Sequence, residues 1–153
     1  MVTDAEDRED EGDAIIAAEF ATTEWMAWMI RYTSGYICAP MTEQRANELD
    51  LPLMWVKTQD PHRTAYTVSV DATDRATTGI SAADRGLTAR GLAERNSGPL
   101  SLMRPGHVLP QRAKDGGVLE RAGQTEAAVD LMKLAGLGPV AMMAEMVNDD
   151  GTM

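Results

Sequence analysis

The sequence has 153 residues and a formal net charge of −10, with 44% apolar residues, eleven methionines and a single cysteine. That length suits one compact domain, residues 1–153, large enough to bury roughly 70% of its unfolded surface. The composition excludes a disordered chain, and the charge excludes a nucleic-acid binder that works by neutralising phosphates. A lone Cys38 rules out an intrachain disulfide and fits a reducing compartment. No run approaches the ~20 apolar residues of a membrane span, and the acidic start is the opposite of a signal peptide. The expectation is a cytoplasmic protein without nucleic-acid or membrane partners.

In chain order, residues 1–13 are polar and acidic, and the apolar run Ala14–Phe20 predicts a buried strand or short helix. Thr22 or Thr23 caps a helix carrying Trp25, Met26, Trp28, Met29 and Ile30, with Gly35 as its C′ glycine. Tyr36–Ala39 reads as a strand before Pro40, and Thr42–Leu49 as a short helix. Ala65–Asp71 alternates, with Tyr66, Val68 and Val70 on one face. Ser81 and Asp84 form a variant capping box opening a helix to about Arg95. Arg104-Pro105-Gly106 reads as a tight turn, Val118-Leu119 as a short strand, and Thr125 as the cap of a helix ended by Gly136. Pro139–Val147 is a strand and Asn148–Gly151 a turn. Helices and strands interleave, which predicts a mixed α/β layer fold.

Several residues could carry chemistry. The run Glu6–Asp13 is either a solvated acidic tail or a site for a hard cation such as Mg²⁺, which needs only one or two carboxylates. Within it, Arg8 offers a planar fork for phosphate. His107, just after Pro105-Gly106, is placed in a loop and is either structural or catalytic. Glu145 interrupts an apolar strand. It is either a buried acid whose raised pKa suits proton transfer, or a carboxylate facing solvent. Arg121, Gly123 and Thr125 precede a helix, so they mark either a phosphate site or a plain N-cap.

Taken together the segments resemble one family closely. Glu6–Asp13 is similar to the acidic motif of the 3,4-dihydroxy-2-butanone 4-phosphate synthases, E-D-R-E-N-E-G-D, with Asp10 where Asn is common. Tyr32–Gly35, Thr64–Val68, Thr77–Arg85, Arg104–Val108, Gly116–Leu119, Thr125–Ala127 and Asn148–Met153 also match family blocks, in order along the whole chain.

The resemblance implies a homodimeric lyase that needs Mg²⁺, or Mn²⁺. It would convert the phosphosugar D-ribulose 5-phosphate to L-3,4-dihydroxy-2-butanone 4-phosphate and formate in riboflavin biosynthesis. Carried over by residue, Glu9 is a metal ligand. Arg8, Glu9, Asp13, Arg121, Gly123, Gln124, Thr125 and Glu145 bind substrate, and His107 and Glu145 are the essential acid–base pair. Cys38 falls in a block where the family often has cysteine. The chain departs from the family at Gln124, where the second metal ligand is usually His, so weaker metal affinity is expected. Arg63 stands for a common Gly, and Gly86-Leu87 for an aliphatic residue or Ala followed by Thr. The family's first helix and strand, and its last strand and helix, fall outside the sequence. The competing expectation is an impaired relative that binds a phosphosugar or a partner subunit.

Overall fold

The computed structural model describes residues 1–153. Its strands are β1 (Val2–Thr3), β2 (Gly12–Ala17), β3 (Cys38–Thr42), β4 (Val70–Ala72), β5 (Leu102–Ala113) and β6 (Ala141–Glu145). Its helices are α1 (Thr23–Tyr32), α2 (Glu43–Glu48), α3 (Ala82–Ala93) and α4 (Gln124–Leu134). The six strands form one mixed sheet in the order β1-β2-β6-β3-β5-β4. Only β3 and β5 run parallel; the other neighbours are antiparallel.

The sheet separates two apolar layers. Side chains alternate across a strand, and β6 shows it clearly. Met142 and Ala144 join a core with Met26 and Met29 of α1 and Leu92 of α3. Ala141 and Met143 instead pack with Ala128 and Met132 of α4. The molecule is therefore layered α/β/α, as the interleaved pattern implied. The next residue on the α4 face of β6 is Glu145. Its partner across the ladder is Asp13 of β2.

The caps explain most helix ends. Thr22, Thr42 and Ser81 accept hydrogen bonds from the amides of Trp25, Arg45 and Asp84. Gly136, at φ +70°, closes α4 as expected. Its amide reaches the Lys133 carbonyl while that of Leu137 reaches Met132, the two bonds of a Schellman motif.

Several expectations need correction. Helix α1 ends at Tyr32 with extended Thr33 as its C-cap, so Gly35 lies beyond the cap. Strand β3 begins at Cys38 and runs through Pro40. Ala65–Asp71 is not one alternating strand. Thr67 is fully buried because its hydroxyl and amide both bond Pro110, and regular pairing starts only at Val70. Arg104-Pro105-Gly106 is no turn but part of the long strand β5, with a cis peptide before Pro105. Val118-Leu119 belongs to a 3-10 turn, with Leu119 exposed. Thr125 caps nothing: the N-cap of α4 is Gly123, and the Thr125 hydroxyl donates to Gln111 Oε1 at 2.9 Å.

Two family departures can be placed, and only the second has a local reason: the backbone at position 63 accounts for the family's glycine and not for the arginine. Arg63 adopts φ +55°, a left-handed conformation that glycine enters freely and arginine does not. At Gly86 an added Cβ would stand 3.1 Å from the Ala21 carbonyl oxygen, so the missing side chain brings α3 close to that segment.

Candidate active site

The acidic segment is a folded loop rather than a tail. Asp4 organises it by accepting from Arg8 Nη1 at 2.6 Å and from the amides of Glu9 and Glu11. Burial raises the Asp4 carboxyl, but these donors outweigh it and hold the pKa below its ordinary value. Arg8 also bonds Glu9. Asp10 sits at φ +55°, a conformation that Asn and Asp tolerate best, which accounts for Asn in the family motif. Nothing in the sequence marked Asp4 as the organiser.

This loop forms one wall of a small polar cleft of about 40 Å³. Arg8, Glu9, Glu11 and Asp13 meet Arg121, Gln124 and Thr125 from the start of α4, and Glu145 from the end of β6. Thr64, Tyr66, Gln111 and Met143 complete the lining; only the Thr64–Val68 block hinted at the first two, and Gln111 carried no signal.

Arg121 is held by design of its surroundings. Its Nη1 pairs with Glu126 Oε2 at 2.5 Å, Nε donates to the His62 carbonyl at 3.0 Å, and Nη2 to Thr64 Oγ1 at 3.0 Å. A guanidinium has five N–H donors, so two remain for a ligand. Gly123 makes room for this pair: a Cβ there would lie 2.1 Å from Arg121 Nη1 and 2.7 Å from Glu126 Oε2. As an N-cap without a side chain it also leaves the first-turn amides of α4 uncapped, the arrangement that binds phosphate.

Opposite lies excess negative charge. Asp13 is 1% exposed, and neither carboxylate oxygen has a hydrogen-bond partner. Burial, then the charges of Glu145, Glu11, Glu9 and Asp4, push its pKa up to about 7. Burial and the same neighbours also raise Glu11. Glu145 is half-buried, between the two readings its sequence allowed, and accepts a hydrogen bond from Ser34 Oγ at 2.6 Å. Cys38 lies buried in β3, and burial raises its thiol pKa, which disfavours the nucleophilic thiolate.

The donor set suits a hard divalent cation. Glu9, Glu11, Asp13 and Glu145 offer carboxylates, and Gln124 a carbonyl oxygen, since its Nε2 is committed to the Glu11 carbonyl at 3.2 Å. No three His, Cys, Asp or Glu side chains converge as a ready-made cluster. Mg²⁺ tolerates this because it keeps several waters. The two unpartnered Asp13 oxygens are further acceptors beside it.

One expected residue is missing from the cleft. His107 lies on β5 four residues from Gln111, which lines it. At ~3.3 Å per residue the two are about 13 Å apart along the strand. Its location is strand, not loop.

A mixed α/β/α domain with carboxylates facing an uncapped helix start and an anchored arginine is the type of site that binds a phosphorylated small molecule with a cation. The profile of the 3,4-dihydroxy-2-butanone 4-phosphate synthase family matches residues 1–153, and the chain belongs to that family. The Salinispora arenicola protein named riboflavin biosynthesis protein RibBA is 60% identical over 153 residues, all of this chain and 36% of its own length. The Saccharomyces cerevisiae 3,4-dihydroxy-2-butanone 4-phosphate synthase is 54% identical over 161 residues, all of this chain and 77% of its own. A crystal structure of a 3,4-dihydroxy-2-butanone 4-phosphate synthase in complex with two magnesium ions superposes with a TM-score of 0.95 at 55% identity, covering 96% of this chain and 68% of that one. The chain thus spans about a third of the RibBA relative and about three quarters of the yeast one.

Proposed function

We propose that this chain carries the lyase activity for which its relatives are named, converting D-ribulose 5-phosphate to L-3,4-dihydroxy-2-butanone 4-phosphate and formate. The observation that carries the reading is the convergence of the acidic loop, Arg121, Gln124 and Thr125, and Glu145 on one cleft. The reaction enolises a ketose, loses water, migrates the carbon skeleton and expels C4 as formate. Every step moves a proton, and most build negative charge on oxygen.

The two free Arg121 donors and the first amides of α4 hold the phosphate. Glu145, oriented by Ser34, exchanges protons with the bound sugar, and Asp13 stands beside its hydroxyls. Glu9 and the Gln124 carbonyl hold Mg²⁺, with Mn²⁺ as a substitute. The bound ion supplies Lewis-acid stabilisation of charge on substrate oxygen. Identity of 54–60% along the whole chain supports a working synthase over an impaired relative. The compartment proposed is the cytoplasm; no helix is long and apolar enough to cross a membrane.

His107 enters the reaction only if a second copy brings it, because its own strand holds it far from the cleft. The homodimer of the family resemblance provides that copy. Mixing the inactive variants His107→Ala and Glu145→Gln should then restore activity, since mixed dimers hold one site with both residues intact. No recovery after the subunits are shown to exchange would exclude a shared site.

The direct test is formate release from ribulose 5-phosphate with Mg²⁺, for the parent and for Gln124→His. Turnover in the parent, with a lower Mg²⁺ requirement in the histidine variant, is the expected result. Histidine is the residue that the family resemblance places at this position, so a tighter half-saturation is expected. Mg²⁺ should also raise the melting temperature of the parent, reversibly with chelator. Silence in both folded proteins would refute the reading.

A further inference from the structure

We infer that Asp71 is the positioning residue of His107, fixing its ring tautomer and direction for proton transfer; this rests on the proposed catalytic use of His107. Asp71 lies on the edge strand β4 and is 1% exposed. Its carboxylate grips His107 twice. Oδ1 accepts the His107 backbone amide at 2.9 Å, and Oδ2 lies 2.7 Å from the ring Nδ1. A carboxylate is an acceptor, so Nδ1 carries the proton and Nε2 presents its lone pair. The His107 side chain is 41% exposed, so Nε2 is open to a reacting molecule while Nδ1 is not.

The surroundings are built around this pair. A Cβ on Gly79, at φ +89°, would fall 1.9 Å from Asp71 Oδ2. One on Gly106 would fall 2.1 Å from the Val70 carbonyl carbon and 2.3 Å from the Asp71 nitrogen. Both glycines belong to sequence blocks otherwise unexplained, Thr77-Thr78-Gly79 and Arg104–Val108. The Gly79 loop is pinned in turn by Asp84. That carboxylate accepts from the Thr77 hydroxyl at 2.7 Å and from the amides of Thr77 and Gly79 at 3.0 and 3.1 Å. A register shift between Val70 and Asp71 accompanies the grip. Arg85 supplies the nearby positive charge: burial lowers its pKa and the Asp71 charge pulls it back up.

In a proton-transfer step, Nε2 takes a proton from a substrate carbon or hydroxyl and later returns one. The Nδ1 proton stays in place throughout. The transient imidazolium is balanced by the Asp71 carboxylate, which does not itself become protonated.

The test has two parts. Ring ¹⁵N spectra of the parent at roughly pH 8.5, above the usual histidine range, should show the Nδ1–H tautomer for His107. In Asp71→Asn the amide can donate to Nδ1, so the ring should switch to Nε2–H. Formate release should then lose about 10²-fold in kcat with KM nearly unchanged. An Nε2–H parent ring overturns the inference without any need for turnover or for a folded variant. A kcat within about twofold of the parent in folded, tautomer-switched Asp71→Asn overturns it too. Full activity in His107→Ala would instead remove the proposed catalytic role of His107 while leaving the contact intact.

Discussion

Arg121→Ala should lower the unfolding free energy by about 3–5 kcal/mol, the usual cost of removing one partner from a buried ion pair. The reason is Glu126, which is 1% exposed and carries the arginine on one oxygen and the Lys114 amide on the other. Without Arg121 a buried carboxylate keeps a single amide donor. The His62 carbonyl and Thr64 hydroxyl also lose their anchor, so one wall of the cleft loosens. Arg121→Lys should recover only part of the loss, because an ammonium offers its three donors from a single nitrogen, whereas Arg121 uses three nitrogens spread over a planar fork. Replacing both partners, as in Arg121→Met with Glu126→Leu, should recover most of the stability and none of the phosphate binding. Urea titration of the four proteins measures this. A loss under about 1 kcal/mol for Arg121→Ala would mean that water reaches Glu126 and the pair is not structural.

Glu126 also shows where reading the sequence stops. The segment Arg121–Thr125 was legible as a phosphate site or a cap, because a glycine and a hydroxyl before an apolar helix are local signals. The structure separates those roles by tertiary contacts. Gly123 occupies the N-cap position, leaves the first amides free and spares space for the ion pair, while Thr125 turns inward to Gln111. Glu126 stands in the first turn of α4 with nothing local to set it apart from a solvated acid. Its burial depends on Lys114 and Arg121, and no periodicity encodes that.

The same division holds for the fold. Helix starts at Thr22, Thr42 and Ser81, and the Schellman end at Gly136, are made within a few residues and were readable. The strand around Tyr66 was misread because alternation predicts which face is apolar only when a strand pairs continuously. Here Thr67 is buried on account of a specific bond to Pro110. Arg104-Pro105-Gly106 has the composition of a turn, yet it runs as strand because β4 packs tightly over Gly106. Asp71 and His107 are 36 positions apart, so their contact had no local signature.

The strongest pH effect is expected at Asp13. Its carboxyl is raised to about 7 in the folded chain, against an ordinary value of 3.8. A raised acid penalises the folded state once it must ionise. The penalty is absent below the unfolded pKa near 4, grows as pH rises towards 7, and is complete above it. At ~1.4 kcal/mol per unit, that amounts to about 4 kcal/mol. Asp13→Asn cannot ionise, so its stability relative to the parent should climb by about that amount between pH 4 and pH 8. A constant offset is also expected, because a buried amide without partners carries its own cost of about 1–3 kcal/mol at every pH. The slope is therefore the informative quantity, measured as paired urea titrations across the range in the absence of divalent cation. The same variant should lose formate release, because the displaced charge is what a cation and the sugar hydroxyls would neutralise. Strain of this kind is retained where function needs it. Adding Mg²⁺ at pH 8 should stabilise the parent more than Asp13→Asn, since only the parent has a carboxylate to relieve. If the two proteins keep a flat stability difference across pH, Asp13 is not held against its charge, and the cleft lacks the negative potential assigned to it.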